Sequence, residues 1–193
     1  MSKFSVEGGV WKELTPLKRA EVILTLIFGL WLALTVLAPY TLPPGSVTDL
    51  SGKVASVDNS DQISQMNPLA AGIYYLGDVN CHQLASRSYF LNDNQMPFCT
   101  RDLGIFVGLV VGMGIALFSS IKPRLAFILL GFVPMVIDGG AQLLTSYEST
   151  NLLRLITGIL AGVSAAFLIH WFATGRWESI SRPSGGSTRT DGK

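Results

Sequence analysis

Four stretches of this chain are each long and apolar enough to cross a bilayer, and nothing else in the sequence restricts the fold as tightly. They are "AEVILTLIFGLWLALTVLAP" (20–39), "LGIFVGLVVGMGIALFSS" (103–120), "LAFILLGFVPMVIDGGAQLL" (125–144) and "LLRLITGILAGVSAAFLIHWFAT" (152–174). A hydrocarbon core about 30 Å thick takes about 20 helical residues, and lipid offers the backbone no hydrogen bonds, so each run is expected to be a helix. Only 14% of the 193 residues are charged, against about 25% in a typical soluble domain. The fold class that follows is all-α: a polytopic membrane protein with four transmembrane helices and a Cys/His loop between helices one and two.

The basic residues orient it. Lys3, Lys12, Lys18 and Arg19 precede the first run, Lys122 and Arg124 fill the turn between runs two and three, and Arg176, Arg182, Arg189 and Lys193 follow the fourth. Ten of the fourteen basic residues thus fall on one side. The positive-inside rule places both termini in the cytoplasm, the connector between runs one and two outside, and the chain in the cell membrane as a multi-pass protein. No basic block outside these flanks suggests nucleic acid, so the bilayer is the expected partner. The first run is too long for the core of a cleaved signal peptide, and Pro39 after Ala38 is a poor cleavage context. Trp11, Trp31, Tyr40, Trp171 and Trp177 read as an interfacial aromatic belt, and His170 as an interfacial histidine.

Around the spans, residues 1–19 form a cytoplasmic N-terminal segment and 175–193 a Ser/Gly/Thr-rich tail expected to be disordered. Residues 40–72 form an extracytoplasmic linker, weakly ordered through 67, with Pro43-Pro44-Gly45 as a breaker. "PLAAGIYYLG" (68–77) is apolar but too short to span, and suits an interfacial or re-entrant helix. No internal repeat is visible.

Small residues recur at four-residue spacing in two spans: Gly104, Gly108 and Gly112, then Gly158, Gly162 and Ala166. Such stripes let helix backbones approach closely, either inside one bundle or across a homodimer or another membrane protein. In the third run Asp138 and Gln142 share a face, and Arg154 opens the antiparallel fourth run at matching depth. An Asp138–Gln142–Arg154 cluster is therefore expected near the outer leaflet, with Glu148 in reach. It suits either a helix-pinning ion pair or a proton or ligand site.

Both cysteines lie in "NCHQLASRSYFLNDNQMPFCTRD", within the loop 78–102. Three chemistries fit. An oxidising compartment favours a Cys81–Cys99 disulfide, worth about 3 kcal/mol on the chain-entropy account. Cys81, His82, Cys99 and Asp102 are all competent zinc ligands. Free thiols, with His82 lowering a cysteine pKa, are the third. Arg87 and Arg101 suit an anion or lipid headgroup, or else pairing with Asp78, Asp93 and Asp102.

"CHQLASRSYF", "QMPFCTRDLGIFVG" and "PMVIDGGAQLLTSYESTNLLRLITGILAG" together resemble the predicted membrane proteins classed as domain of unknown function 2085. The resemblance covers residues 73–172. It implies that Cys81, His82, Arg87, Ser88, Gln95, Pro97, Cys99, Arg101 and Gly104 match that family's first two motifs. Pro134, Asp138, Gly139, Gln142, Ser149, Asn151, Arg154, Thr157 and Gly158 match its third. Ala85 stands where the family often has proline, and Asp102 where it has a further cysteine, which makes a metal chelate and a disulfide near rivals here. The family name confers no activity. The reading that results is a small accessory or binding subunit with an outer-face polar pocket under the cysteine loop. Its alternatives are a metal-dependent or redox enzyme acting on a lipid or quinone-like substrate, and a transporter or proton-conducting subunit.

Overall fold

The computed structural model describes residues 14–50, 52–119, 121 and 123–175. The sequence readings for Trp11, Trp177, Lys122, the first thirteen residues and the tail beyond 175 lie outside the described residues. The chain is an all-α polytopic membrane protein with four candidate membrane-spanning helices, at Pro16–Thr41, Thr100–Phe118, Leu125–Leu144 and Asn151–Ala173.

Helix α1 (Pro16–Leu37) starts where Thr15 accepts from the Lys18 N–H and Pro16 needs no donor partner. A short 3₁₀ turn extends it to Thr41. Helix α2 (Ser60–Ile63) is one turn, and α3 (Pro68–Asn80) repeats the cap-plus-proline start with Asn67. Strands β1 (Phe90–Leu91) and β2 (Asn94–Gln95) form a hairpin, and α4 (Thr100–Phe118) follows. The third span is two helices, α5 (Leu125–Leu130) and α6 (Val133–Leu144). Pro134 lacks the donor that would continue the ladder, and the bend at Gly131 lets Ser164 approach where a side chain would collide. Helix α7 (Asn151–Ala173) is capped by Thr150.

Helix α4 packs along α7, α1 lies against α4, and α5 and α6 lie against α7. The glycine stripes meet inside the chain. A Cβ on Gly104 would sit 2.5 Å from the Leu155 carbonyl, and one on Gly162 only 2.9 Å from the Gly108 Cα. Their close-packing role is thus taken up between α4 and α7 rather than presented to a second copy. The outward faces are apolar, with Leu26 and Phe118 exposed at 66% and 88%, as lipid contact requires.

The connector departs from the weakly ordered linker expected of residues 40–67. Ala38, Leu42, Val47, Leu50, Ile63, Ala70, Ile73, Tyr74, Cys81 and Phe98 share one buried core at one end of the bundle. Buried polar side chains tie the irregular backbone to it. Asn94 accepts from the Val47 N–H at 2.9 Å and donates to the Pro39 and Pro43 carbonyls at 3.0 Å. Gln95 accepts from the Leu50 N–H at 2.9 Å, and Tyr74 donates to the Gln95 carbonyl at 2.6 Å. Asp78 accepts from both the backbone and side chain of Asn59. The hairpin turn, Asn92-Asp93, takes positive φ at both positions, 55° and 57°, as a type I′ turn demands. This cap occupies the end of the bundle where α4 and α7 begin.

Candidate functional site

Under the cap, the first turns of α4 and α7 and the last turns of α6 converge. Asp138 on α6 is buried and accepts from Arg101 Nη2 of α4 at 2.5 Å and from the Tyr147 hydroxyl at 3.3 Å. The expected cluster forms, but the ion-pair partner is Arg101 rather than Arg154. The Arg101 guanidinium lies against Gly139 of α6 and so beside Asp138, while Arg154 is taken up by Asn151 and Gln142.

Arg154 instead points toward Arg87 and Gln142. Its Nη1 donates to Asn151 Oδ1 at 3.2 Å. Of the two orientations of the Gln142 amide, one accepts from Arg101 at 3.4 Å. The other accepts from Arg87 Nη2 at 2.8 Å and Arg154 Nη2 at 3.0 Å, and is the better satisfied. Arg87 also pairs with Glu148 at 3.2 Å, not with Asp78, Asp93 or Asp102. Glu148 is 72% exposed, so that pair is weak. Arg154 is 3% exposed, its Nε has no hydrogen-bond partner, and among the described residues no carboxylate pairs with it. These arginines border a recess of about 60 Å³, shared with Cys81, His82, Leu84, Cys99 and Gln142. That is room for a small oxyanion or a few waters.

Beside the recess, the side-chain ligand atoms of Cys81, Cys99 and Asp102 all lie within 4.8 Å of one another. Both cysteines are thiols. The Cys99 N–H donates to Cys81 Sγ at 3.3 Å, and Cys99 Sγ bonds to Asp102 Oδ2 at 3.2 Å. A hydrogen bond to Cys99, then burial, holds the Cys81 thiol well above its ordinary pKa; the same bond pulls Cys99 below its own. His82 is exposed and lines the recess, but stands outside that three-residue group. An apolar cleft of about 460 Å³ between α6 and α7 is bordered by Pro134, Asp138, Leu153 and Thr157, and its Asp138 pairs with Arg101 of the arginine recess.

A second polar cluster lies at the opposite end. Glu21 of α1, 2% exposed, contacts His170 Nδ1 of α7 at 2.7 Å and Lys18 at 3.0 Å. Lys18 also donates to the last carbonyls of α4, Ala116 at 3.0 Å and Leu117 at 2.6 Å. His170 is therefore a buried tie between α1 and α7. The sequence signal was a lone carboxylate in an apolar run, the same signal that marked Asp138. Glu21→Leu is expected to cost about 1–3 kcal/mol, the range for a charged hydrogen bond left unmade. Thermal unfolding in detergent would show it, with His170→Gln costing less because Lys18 keeps Glu21.

The family described as Predicted membrane protein (DUF2085) matches residues 81–168. The match opens at Cys81 and leaves α1 and the first half of the cap outside it. The chain is 37% identical over 104 residues to an uncharacterized protein of Methanocaldococcus jannaschii, covering 50% of this chain and 65% of that one. It is 34% identical over 91 residues to an uncharacterized protein of Methanothermobacter thermautotrophicus, covering 46% of this chain and 82% of that one. No solved structure matches the chain.

Proposed function

This chain belongs to the DUF2085 family of predicted membrane proteins, and on that premise we propose that it is a small binding or accessory membrane protein whose arginine recess takes an anionic group. One observation carries the reading: Arg154 is a buried cation without a carboxylate partner among the described residues. Arg87 pairs with Glu148 and Arg101 with Asp138, which leaves Arg154 outside both ion pairs. Burying a lone charge is costly unless something pairs with it. A phosphate or carboxylate held by guanidinium groups supplies that partner.

The distribution of Lys and Arg in the sequence supports placing the capped end outside the cytoplasm. The ligand is then a free oxyanion or a lipid headgroup of the outer leaflet. The apolar cleft between α6 and α7, joined to the recess through the Asp138–Arg101 pair, favours the headgroup, since an acyl chain could lie in it.

Arg154→Gln separates this from a purely structural arginine. In phosphate-free buffer the variant is expected to unfold at the same temperature as the wild type or higher, because a lone buried charge has been removed. Binding of inorganic phosphate, or retention of phosphatidylglycerol over phosphatidylcholine in nanodiscs, is expected to fall about ten-fold or more, as for a lost charged hydrogen bond. Phosphate affinity alone would identify a free oxyanion, and lipid retention alone a headgroup. A variant that binds both as the wild type does, or that simply unfolds earlier, would sink the reading.

A further inference from the structure

We propose that Cys81, Cys99 and Asp102 form a binding site for a soft divalent metal ion, zinc above all. Zinc–sulfur bonds near 2.3 Å and zinc–oxygen bonds near 2.1 Å put neighbouring ligands of a tetrahedron about 3.5–3.8 Å apart. The three ligand atoms here lie within 4.8 Å of one another, with the Cys99 sulfur and Asp102 carboxylate at 3.2 Å. Small side-chain rotations bring all three onto one ion.

The local fold prepares them. Cys81 follows the end of α3 with an extended backbone, which turns its side chain out of the helix. Cys99 immediately precedes α4 and Asp102 lies in its first turn, where positions three apart share a face. The Cys99 N–H donates to Cys81 Sγ at 3.3 Å and fixes that sulfur beside Cys99. Trp31, Phe98 and Phe106, edge-to-face at 5.2–5.9 Å, wall the cleft that Asp102 lines. Such an apolar wall limits solvent access to a bound ion.

A disulfide accounts for less. Joining the sulfurs removes the Cys99 thiol that bonds Asp102, and leaves that carboxylate against aromatic rings. A metal uses all three groups. Two thiolates select zinc, cobalt or cadmium over magnesium or calcium. The charge balances without a co-reactant: a divalent ion enters as two thiol protons leave. Cys81 and Cys99 also line the arginine recess, but the net charge beside it is unchanged, so zinc binding and anion binding are tested separately. His82, exposed and outside the group, leaves the fourth position to solvent.

The test is zinc binding to the full-length chain in detergent under a non-thiol reductant, read by elemental analysis and proton release. One zinc per chain and two protons per zinc are expected, with binding lost in Cys81→Ser and Cys99→Ser. Asp102→Asn is expected to weaken binding on the order of ten-fold, while Arg154→Gln and His82→Ala leave the stoichiometry intact. Should the cysteine variants fail to fold, the wild-type stoichiometry and Asp102→Asn decide. A wild type that takes up no zinc, zinc retained by folded variants lacking either thiol, or unchanged affinity in Asp102→Asn would overturn the proposal. So would freshly purified protein with a Cys81–Cys99 bond that takes no zinc after reduction.

Discussion

Gly108→Val is expected to abolish the folded bundle, while Gly114→Val on the same helix leaves it intact. A Cβ at position 108 would meet the Ile159 carbonyl, the Val163 nitrogen at 2.8 Å and the Gly162 Cα at 2.9 Å. Every one of these is backbone, so no side chain can turn aside and α7 itself must back away. Overpacking a core ordinarily costs about 1–3 kcal/mol because side chains yield. Here the separation of two helices is at stake, and the cost rises beyond that range. At Gly114 nothing lies within 4 Å, and a valine side chain has open space. Size-exclusion profiles and thermal unfolding by circular dichroism in detergent check the pair. Equal stability of the two variants would mean that α4 and α7 are not held backbone to backbone.

Asp138→Leu carries the second large effect. The carboxylate is buried and its partner Arg101 is 23% exposed, with an Nε that has no other acceptor. Removing one member of a buried pair strands the other, at about 3–5 kcal/mol. Partial exposure of Arg101 favours the lower end. Replacing both residues, as Asp138→Leu with Arg101→Met, is expected to recover most of the loss, because the desolvated charge is then gone as well. A double-mutant cycle on unfolding free energies checks this. Additive losses would show that the two side chains are not coupled, and would remove the pair as the anchor of the recess.

The spans were legible because a hydrocarbon solvent imposes length and apolarity on contiguous residues. The glycine stripes were legible for a similar reason, since spacing along one helix defines its face. What was hidden depends on partners far apart in sequence. Asp138 announced that it needed a cation, but Arg101 and Arg154 both begin helices at the same end, and which of them lies beside Asp138 depends on tertiary packing that no spacing in the sequence records. The cap looked like an unstructured linker because Asn94, Gln95 and Asp78 organise it by bonding to isolated backbone groups. Those bonds follow no period. The tie between Glu21 and His170 joins the first span to the last, and neither residue's neighbours reveal it. For Cys81 and Cys99 the sequence named the chemistry. Of the four ligands it offered, the fold brings Cys81, Cys99 and Asp102 together and leaves His82 outside the group.

The bend at Gly131 bears on how this protein can move. Because α4 and α7 touch through their backbones, they have almost no freedom to slide or tilt against one another and act as a single rigid post. The third span is hinged at its middle, and only 11% of its most apolar window is buried. Movement of the bundle would therefore fall on the third span, with α6 held to α4 by the Arg101–Asp138 pair. Helix α6 carries Asp138, which pairs with Arg101, and Gln142, which in its better-satisfied orientation accepts from Arg87 and Arg154. A swing of α6 about Gly131 would change the electric field inside the recess while the post stays still.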